Sequence, residues 1–173
     1  MKKILLLAPL LLFLAVVGCK KVDQLLTFTV DTSQSVVIPG YFVNAQLPAV
    51  TVTTNSADSF KNNKTSKDKV KDVYLDQMVL TVTNPANSNF DFLNKLDVFI
   101  NTPNTNNKIL LASITNVPKG VNSIKLDPTK ARLDEYLKAD TYQLTVNATL
   151  NGFNANDFTV RSDARFKVTA DPL

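Results

Sequence analysis

The stretch TYQLTVNATL at residues 141–150 decides the predicted fold, because apolar and polar side chains alternate along all of it. That period is typical of a strand with one buried face. The dipeptide Asn151-Gly152 signals a turn, and the alternation then resumes over residues 158–168. Ser162 falls on the apolar face of this second stretch, so a bulge is expected there to give the hydroxyl a partner.

Shorter runs of the same kind occupy most of the remaining chain. They cover residues 26–30, 35–38, 49–54, 77–83, 96–100, 109–114 and 121–126. About eight or nine strands, without long helices between them, predict an all-β fold. We expect an antiparallel, Ig-like β-sandwich with one or two short helices.

Three local signals refine this prediction. Thr32-Ser33 indicates a turn that would make its two flanking runs a hairpin. Asp127-Pro128 indicates the start of a short helix, since Asp can cap and Pro suits the first turn. Ser66 could cap another short helix at the end of a polar, Lys- and Asn-rich connector.

The composition excludes several classes of site. The chain of 173 residues has no His, no Trp, one Cys and four Gly, with 19 Lys+Arg against 15 Asp+Glu. A Ser-His-Asp triad, a His-ligated zinc and a Cys cluster are therefore ruled out. No basic stripe interleaved with aromatic residues predicts nucleic-acid binding. We expect no cofactor and no metal site.

The N-terminus has the form of a targeting signal. Lys2 and Lys3 precede an apolar run from Ile4 to Val17. A membrane-spanning helix needs about 20 apolar residues, so this run fits the core of a signal peptide instead. Directly after it comes Gly18-Cys19, which contains the only cysteine in the chain.

The sequence VVGC at residues 16–19 resembles the lipobox of bacterial lipoproteins. That resemblance implies cleavage after residue 18 and acylation (palmitate) of Cys19, with membrane lipid as a partner. The expected organisation is a signal peptide over 1–18, a lipidated Cys and short tether over 19–24, and one β-sandwich domain over 25–173. Lys20, rather than Asp, follows the Cys, which implies the outer membrane and leaves the periplasmic or outward face open.

Two further resemblances concern the body of the chain. The stretch LTVTNP at residues 80–85 is similar to the start of late-embryogenesis-abundant type 2 domains, which are Ig-like sandwiches. The whole chain, with its many Asn, Lys and Thr residues, resembles uncharacterised small envelope lipoproteins of Bacteroidota. Neither resemblance implies an activity.

Carboxylates are the catalytic groups that the composition leaves open. The sole Glu, Glu135, adjoins Asp134 in a predicted helix, where adjacent positions point in different directions. Asp91, between Phe90 and Phe92, is the best single candidate for a perturbed acid, although a loop Asp more often caps backbone amides. We therefore predict no catalytic residue and no enzyme.

Antiparallel strands place alternate connections at the same end of a sandwich, so three loops should share one rim. With residues 77–83 as the reference strand, these are the 84–95, 115–120 and 151–157 loops. Asn and Asp side chains beside aromatic rings suit sugars, although they are also ordinary turn residues. The candidate ligand-binding residues are Asn84, Asn87, Asn89, Asp91, Asn151, Phe153, Asn154, Asn156 and Asp157, centred on Phe153 and Asn154.

Two functions from different classes remain. The first is a non-catalytic, membrane-anchored binding or structural module of the cell envelope, whose partner is an envelope protein or glycan. The second is an envelope hydrolase, similar to a glycosidase, that uses carboxylates only. The first is favoured because so few catalytic residue types are present.

Overall fold

The computed structural model describes residues 25–40, 46–152 and 156–173. These residues form eight antiparallel strands and two short α-helices, which confirms the all-β class. The strands are β1 (Leu26–Ile38), β2 (Gln46–Thr53), β3 (Val70–Asn84), β4 (Leu93–Asn101), β5 (Ile109–Ile114), β6 (Ser123–Pro128), β7 (Thr141–Leu150) and β8 (Phe158–Ala170). The helices are α1 (Ser56–Asn62) and α2 (Asp134–Lys138), with a 3₁₀ turn at Lys67–Lys69.

The strands follow the order β1-β8-β3-β6-β5-β4-β7-β2, which folds over into two facing halves. The halves are joined where β5 pairs with β6 through only Ala112↔Pro128 and Ser113↔Asp127. The inward side chains of the two halves meet in a sandwich, where the Tyr142 and Phe166 rings lie edge to face at 6.3 Å. β1 and β2 are the two ends of the order, so each pairs on one side only among the described strands.

Large side chains fill the end of the sandwich that contains α2. Phe28 and Phe60 form an edge-to-face pair at 6.1 Å. Tyr136 of α2 is 1% exposed, and its hydroxyl donates to the Asn107 carbonyl at 2.5 Å. The predicted apolar stripe of this helix is thus confirmed, and it covers one end of the core.

The turn expected at Thr32-Ser33 is wrong, because β1 runs unbroken through both residues. Their polar side chains instead find partners across the strands. Thr32 faces the core and shares a hydrogen bond of 3.1 Å with the Tyr142 hydroxyl. Ser33 faces outward and donates to Asp163 at 2.7 Å. Cross-strand partners outweigh the local turn preference of these residues.

The helix expected at Asp127-Pro128 is also wrong. β6 continues to Pro128, which is the last residue of the strand and pairs with Ala112. Pro is tolerated at such a position because the ladder needs no further amide there. The helix begins only at Asp134, and Leu133 precedes it without a side-chain cap.

The helix expected from Ser66 is replaced by the 3₁₀ turn and the start of β3. Val70 pairs with Ala170 of β8, so the segment that would have formed a helix belongs to the sheet. The connector before it does contain a helix, α1, whose Phe60 is 1% exposed.

Candidate functional site

The strand register places the predicted loops at one end of the sandwich. β3 ends at Asn84 opposite Thr159 of β8, and β4 begins at Leu93 opposite Leu150 of β7. The loops also bond to one another: the Phe90 amide donates to the Val121 carbonyl at 3.0 Å. We call the described residues of the 84–92, 115–122 and 151–157 loops the rim. The predicted placement of these three connections is confirmed.

Most of the predicted site residues lie on this rim. Asn84, Asn87, Asp91, Asn151, Asn156 and Asp157 are exposed, and Asn89 is half-buried. Phe153 and Asn154, the expected centre, lie outside the described residues, as does Cys19. The structure therefore brings seven candidates to one end of the domain.

Asp91 has a structural role in this rim. Its carboxylate accepts a hydrogen bond of 2.6 Å from the Gly120 amide, and its own amide donates to the Asn89 side chain at 3.1 Å. Lys119 also donates to the Asp91 carbonyl at 2.7 Å. Gly120 has φ +71°, a conformation that favours glycine, so its amide is held toward the carboxylate. Asp91 thus joins two loops as a backbone cap.

Asp157 acts in a similar way. Its carboxylate accepts a hydrogen bond of 2.8 Å from the Gly40 amide, just after β1. The Asn151 amide donates to the Phe92 carbonyl at 2.8 Å, which ties the third loop to the first. The rim is a set of cross-bonded loops whose exposed amide side chains remain at the surface.

The carboxyl groups whose pKa values shift do not resemble a general acid. A hydrogen bond from Lys67 at 2.6 Å lowers the pKa of Asp140. The Ser33 hydroxyl, and then Arg161 at 2.8 Å, lower the pKa of Asp163. A glycosidase acid needs a raised pKa. Across the described ranges, no three His, Cys, Asp or Glu side chains group as metal ligands.

An apolar cavity of about 120 Å³ lies beneath the rim, between the two halves of the sandwich. The Phe92 and Phe158 rings, edge to face at 4.8 Å, form part of its wall. The cavity exists because inward positions at this end carry small side chains, whereas Tyr142 and Phe166 fill the other end. The small lining residues are Val36, Val146, Ala148 and Val160, all half-buried.

The cavity reaches the unpaired edges of β1 and β2. Val36 and Ile38 of β1 line it, as do Leu47 and Val50 of β2. Pro48 also lines it and is exposed, within an interruption of the β2–β7 register. The seam between the two edge strands therefore connects the cavity with solvent.

Two polar side chains line this otherwise apolar space. Gln34 and Ser162 are direct partners across the β1–β8 pair, and both are half-buried. The bulge expected at Ser162 is wrong: the β1–β8 register is unbroken, and the irregularities of this sheet lie in β3. The placement of Ser162 on an apolar face was the one signal in the sequence that pointed to this cavity.

No described helix is long and apolar enough to cross a membrane. The chain matches no protein-family model and no curated protein. Among solved structures it is similar to N-glycanase F (PNGase F), with 13% identity and a TM-score of 0.48 over 84% of this chain. The chain spans only 42% of the length of that enzyme.

Viral capsid proteins are also among the similar structures. The 60-mer BFDV capsid protein has 9% identity and a TM-score of 0.45, over 87% of this chain and 95% of that one. A turnip yellow mosaic virus structure has 10% identity and a TM-score of 0.31, over 87% and 96%. Similarities at this level carry no information about function.

Proposed function

We propose that this chain is a lipid-anchored, non-catalytic binding module of the bacterial cell envelope, attached through acylated Cys19. The proposal rests first on the targeting signal in the sequence, in which a basic start, an apolar run and Gly18-Cys19 occur in the order of a lipobox. Two or more acyl chains are enough for stable membrane attachment. The proposed location is the outer membrane, because Lys20 follows the Cys.

The direction of β1 is the observation that supports a binding role for the rim. β1 begins at Leu26, a few residues after the proposed anchor, and ends at Ile38 next to the rim. Its 13 residues, at about 3.3 Å each, span roughly 40 Å. The anchored end and the rim are thus at opposite ends of the domain. A tether at Cys19 would present the rim away from the membrane, toward an envelope protein or glycan.

A carboxylate hydrolase has less support. Asp91, its best single candidate, already caps the Gly120 amide. The pKa values of Asp140 and Asp163 are lowered, by Lys67 and by Ser33 respectively, which keeps both groups ionised rather than available as acids.

Cys19→Ser tests the anchor directly. We expect loss of labelled palmitate from the full chain and loss of the protein from the outer-membrane fraction, because the acyl acceptor is gone. Lys20→Asp is the matched variant: palmitate should remain while the protein shifts to the inner membrane. Palmitate that persists on Cys19→Ser would overturn the proposed attachment.

A further inference from the structure

We propose that the cavity between the two halves of the sandwich binds a short aliphatic chain that carries a neutral hydrogen-bonding end group, such as an alcohol. This inference goes beyond the proposed function, since it depends neither on the anchor nor on the rim loops. It rests on the chemistry of the lining, on the volume and on the open seam between β1 and β2.

The lining and the volume specify an aliphatic body. All the side chains found along the cavity are apolar except Gln34 and Ser162. An engineered apolar cavity of about 150 Å³ binds benzene, so about 120 Å³ is enough for a chain of similar bulk. The half-buried residues Leu144, Val146 and Leu150 would lose their remaining exposure to water when such a chain is bound.

The polar pair specifies the end group. The Gln34 amide and the Ser162 hydroxyl lie side by side on paired strands, and neither makes a side-chain hydrogen bond within the described structure. Each can both donate and accept. No Lys, Arg, Asp or Glu of the described residues lines the cavity, so a charged end group would be buried without a counter-charge. A hydroxyl or a neutral amide satisfies both groups.

The floor and the seam give the cavity its direction. Two residues before Gln34, Thr32 bonds to Tyr142 of the opposite half and closes the space below the polar pair. Leu47 and Pro48 border the seam on the β2 side. A chain would therefore enter between the edge strands and place its end group near Gln34.

Photolabelling tests the site in the full chain, reconstituted in phosphatidylethanolamine vesicles. The probe is 1-octanol that carries an aliphatic diazirine, and labelled residues are mapped by mass spectrometry. We expect saturable labelling of inward residues of β4 and β7, and competition by 1-hexanol. Unsaturable labelling, or labelling confined to surfaces outside the cavity, would overturn the proposal.

Two pairs of variants localise the signal. Ala148→Phe should abolish saturable labelling by filling the cavity, whereas Thr149→Phe, exposed at the next position, should leave it unchanged. Circular dichroism checks that both fold. If Ala148→Phe does not fold, competition by 1-hexanol on the unaltered chain decides the outcome.

The second pair tests the polar end group. Gln34→Leu should weaken competition by 1-hexanol by roughly 2- to 10-fold, the value of one hydrogen bond, and leave competition by hexane unchanged. Ser35→Leu, on the opposite face of β1, is the control. Equal losses for hexanol and hexane in Gln34→Leu would exclude the role assigned to the amide.

Discussion

The hydrogen bond between Thr32 and Tyr142 should make a measurable contribution to stability, because it joins the two halves of the sandwich inside the core. The hydroxyls lie 3.1 Å apart, and Tyr142 is 1% exposed. Burial raises the pKa of Tyr142, while the bond to Thr32 acts in the opposite direction. Thr32→Val keeps the branched shape of the side chain but removes the only partner that the phenol has among the described side chains.

The expected loss follows from two contributions. A net hydrogen bond is worth about 0.5–1.5 kcal/mol, and a buried polar group left unsatisfied costs about 1–3 kcal/mol. The added methyl group offsets part of this, so Thr32→Val should lower the free energy of unfolding by about 2 kcal/mol. For a chain of this size that corresponds to a fall in Tm of roughly 4–8 °C.

Urea denaturation and thermal melting of the full chain measure this loss. Thr29→Val, on the exposed face of the same strand, is the control and should stay within about 0.5 kcal/mol of the unaltered chain. The double variant Thr32→Val with Tyr142→Phe should lose less than the sum of the two single variants, because neither group is then left unpaired. Equal stabilities for Thr32→Val and Thr29→Val would refute the reasoning.

Two predictions concern the polar surface. Asp91→Ala should lower the free energy of unfolding by about 1 kcal/mol, since the exposed carboxylate caps the Gly120 amide, whereas Asn87→Ala in the same loop should have little effect in the same urea titration. Ser33→Ala should destabilise the chain more at about pH 7 than at about pH 2.5, because a lowered pKa of Asp163 stabilises the fold above its unfolded pKa and this gain disappears as the carboxylate protonates. Equal losses at both pH values in denaturant titrations would contradict the second prediction.

Alternation of side chains along the chain determined the fold class. β5 and β7 have the bounds that their patterns predict, and β8 extends its pattern by two residues. The same reasoning located the rim, because an antiparallel order fixes which loops share an end. Local signals failed where distant partners intervene: Thr32 and Ser33 form a turn only when Tyr142 and Asp163 are ignored.

The cavity and its polar pair were decided by the tertiary structure alone. Ser162 on an apolar face was visible in the sequence, but its position beside Gln34 depends on the register of β1 against β8. The cavity arises where small side chains from facing strands meet, such as Val36 and Ala148. Each of these residues is ordinary within its own strand. Only the packing of one half of the sandwich on the other leaves the volume between them unfilled, because packing depends on side chains that are far apart in the sequence.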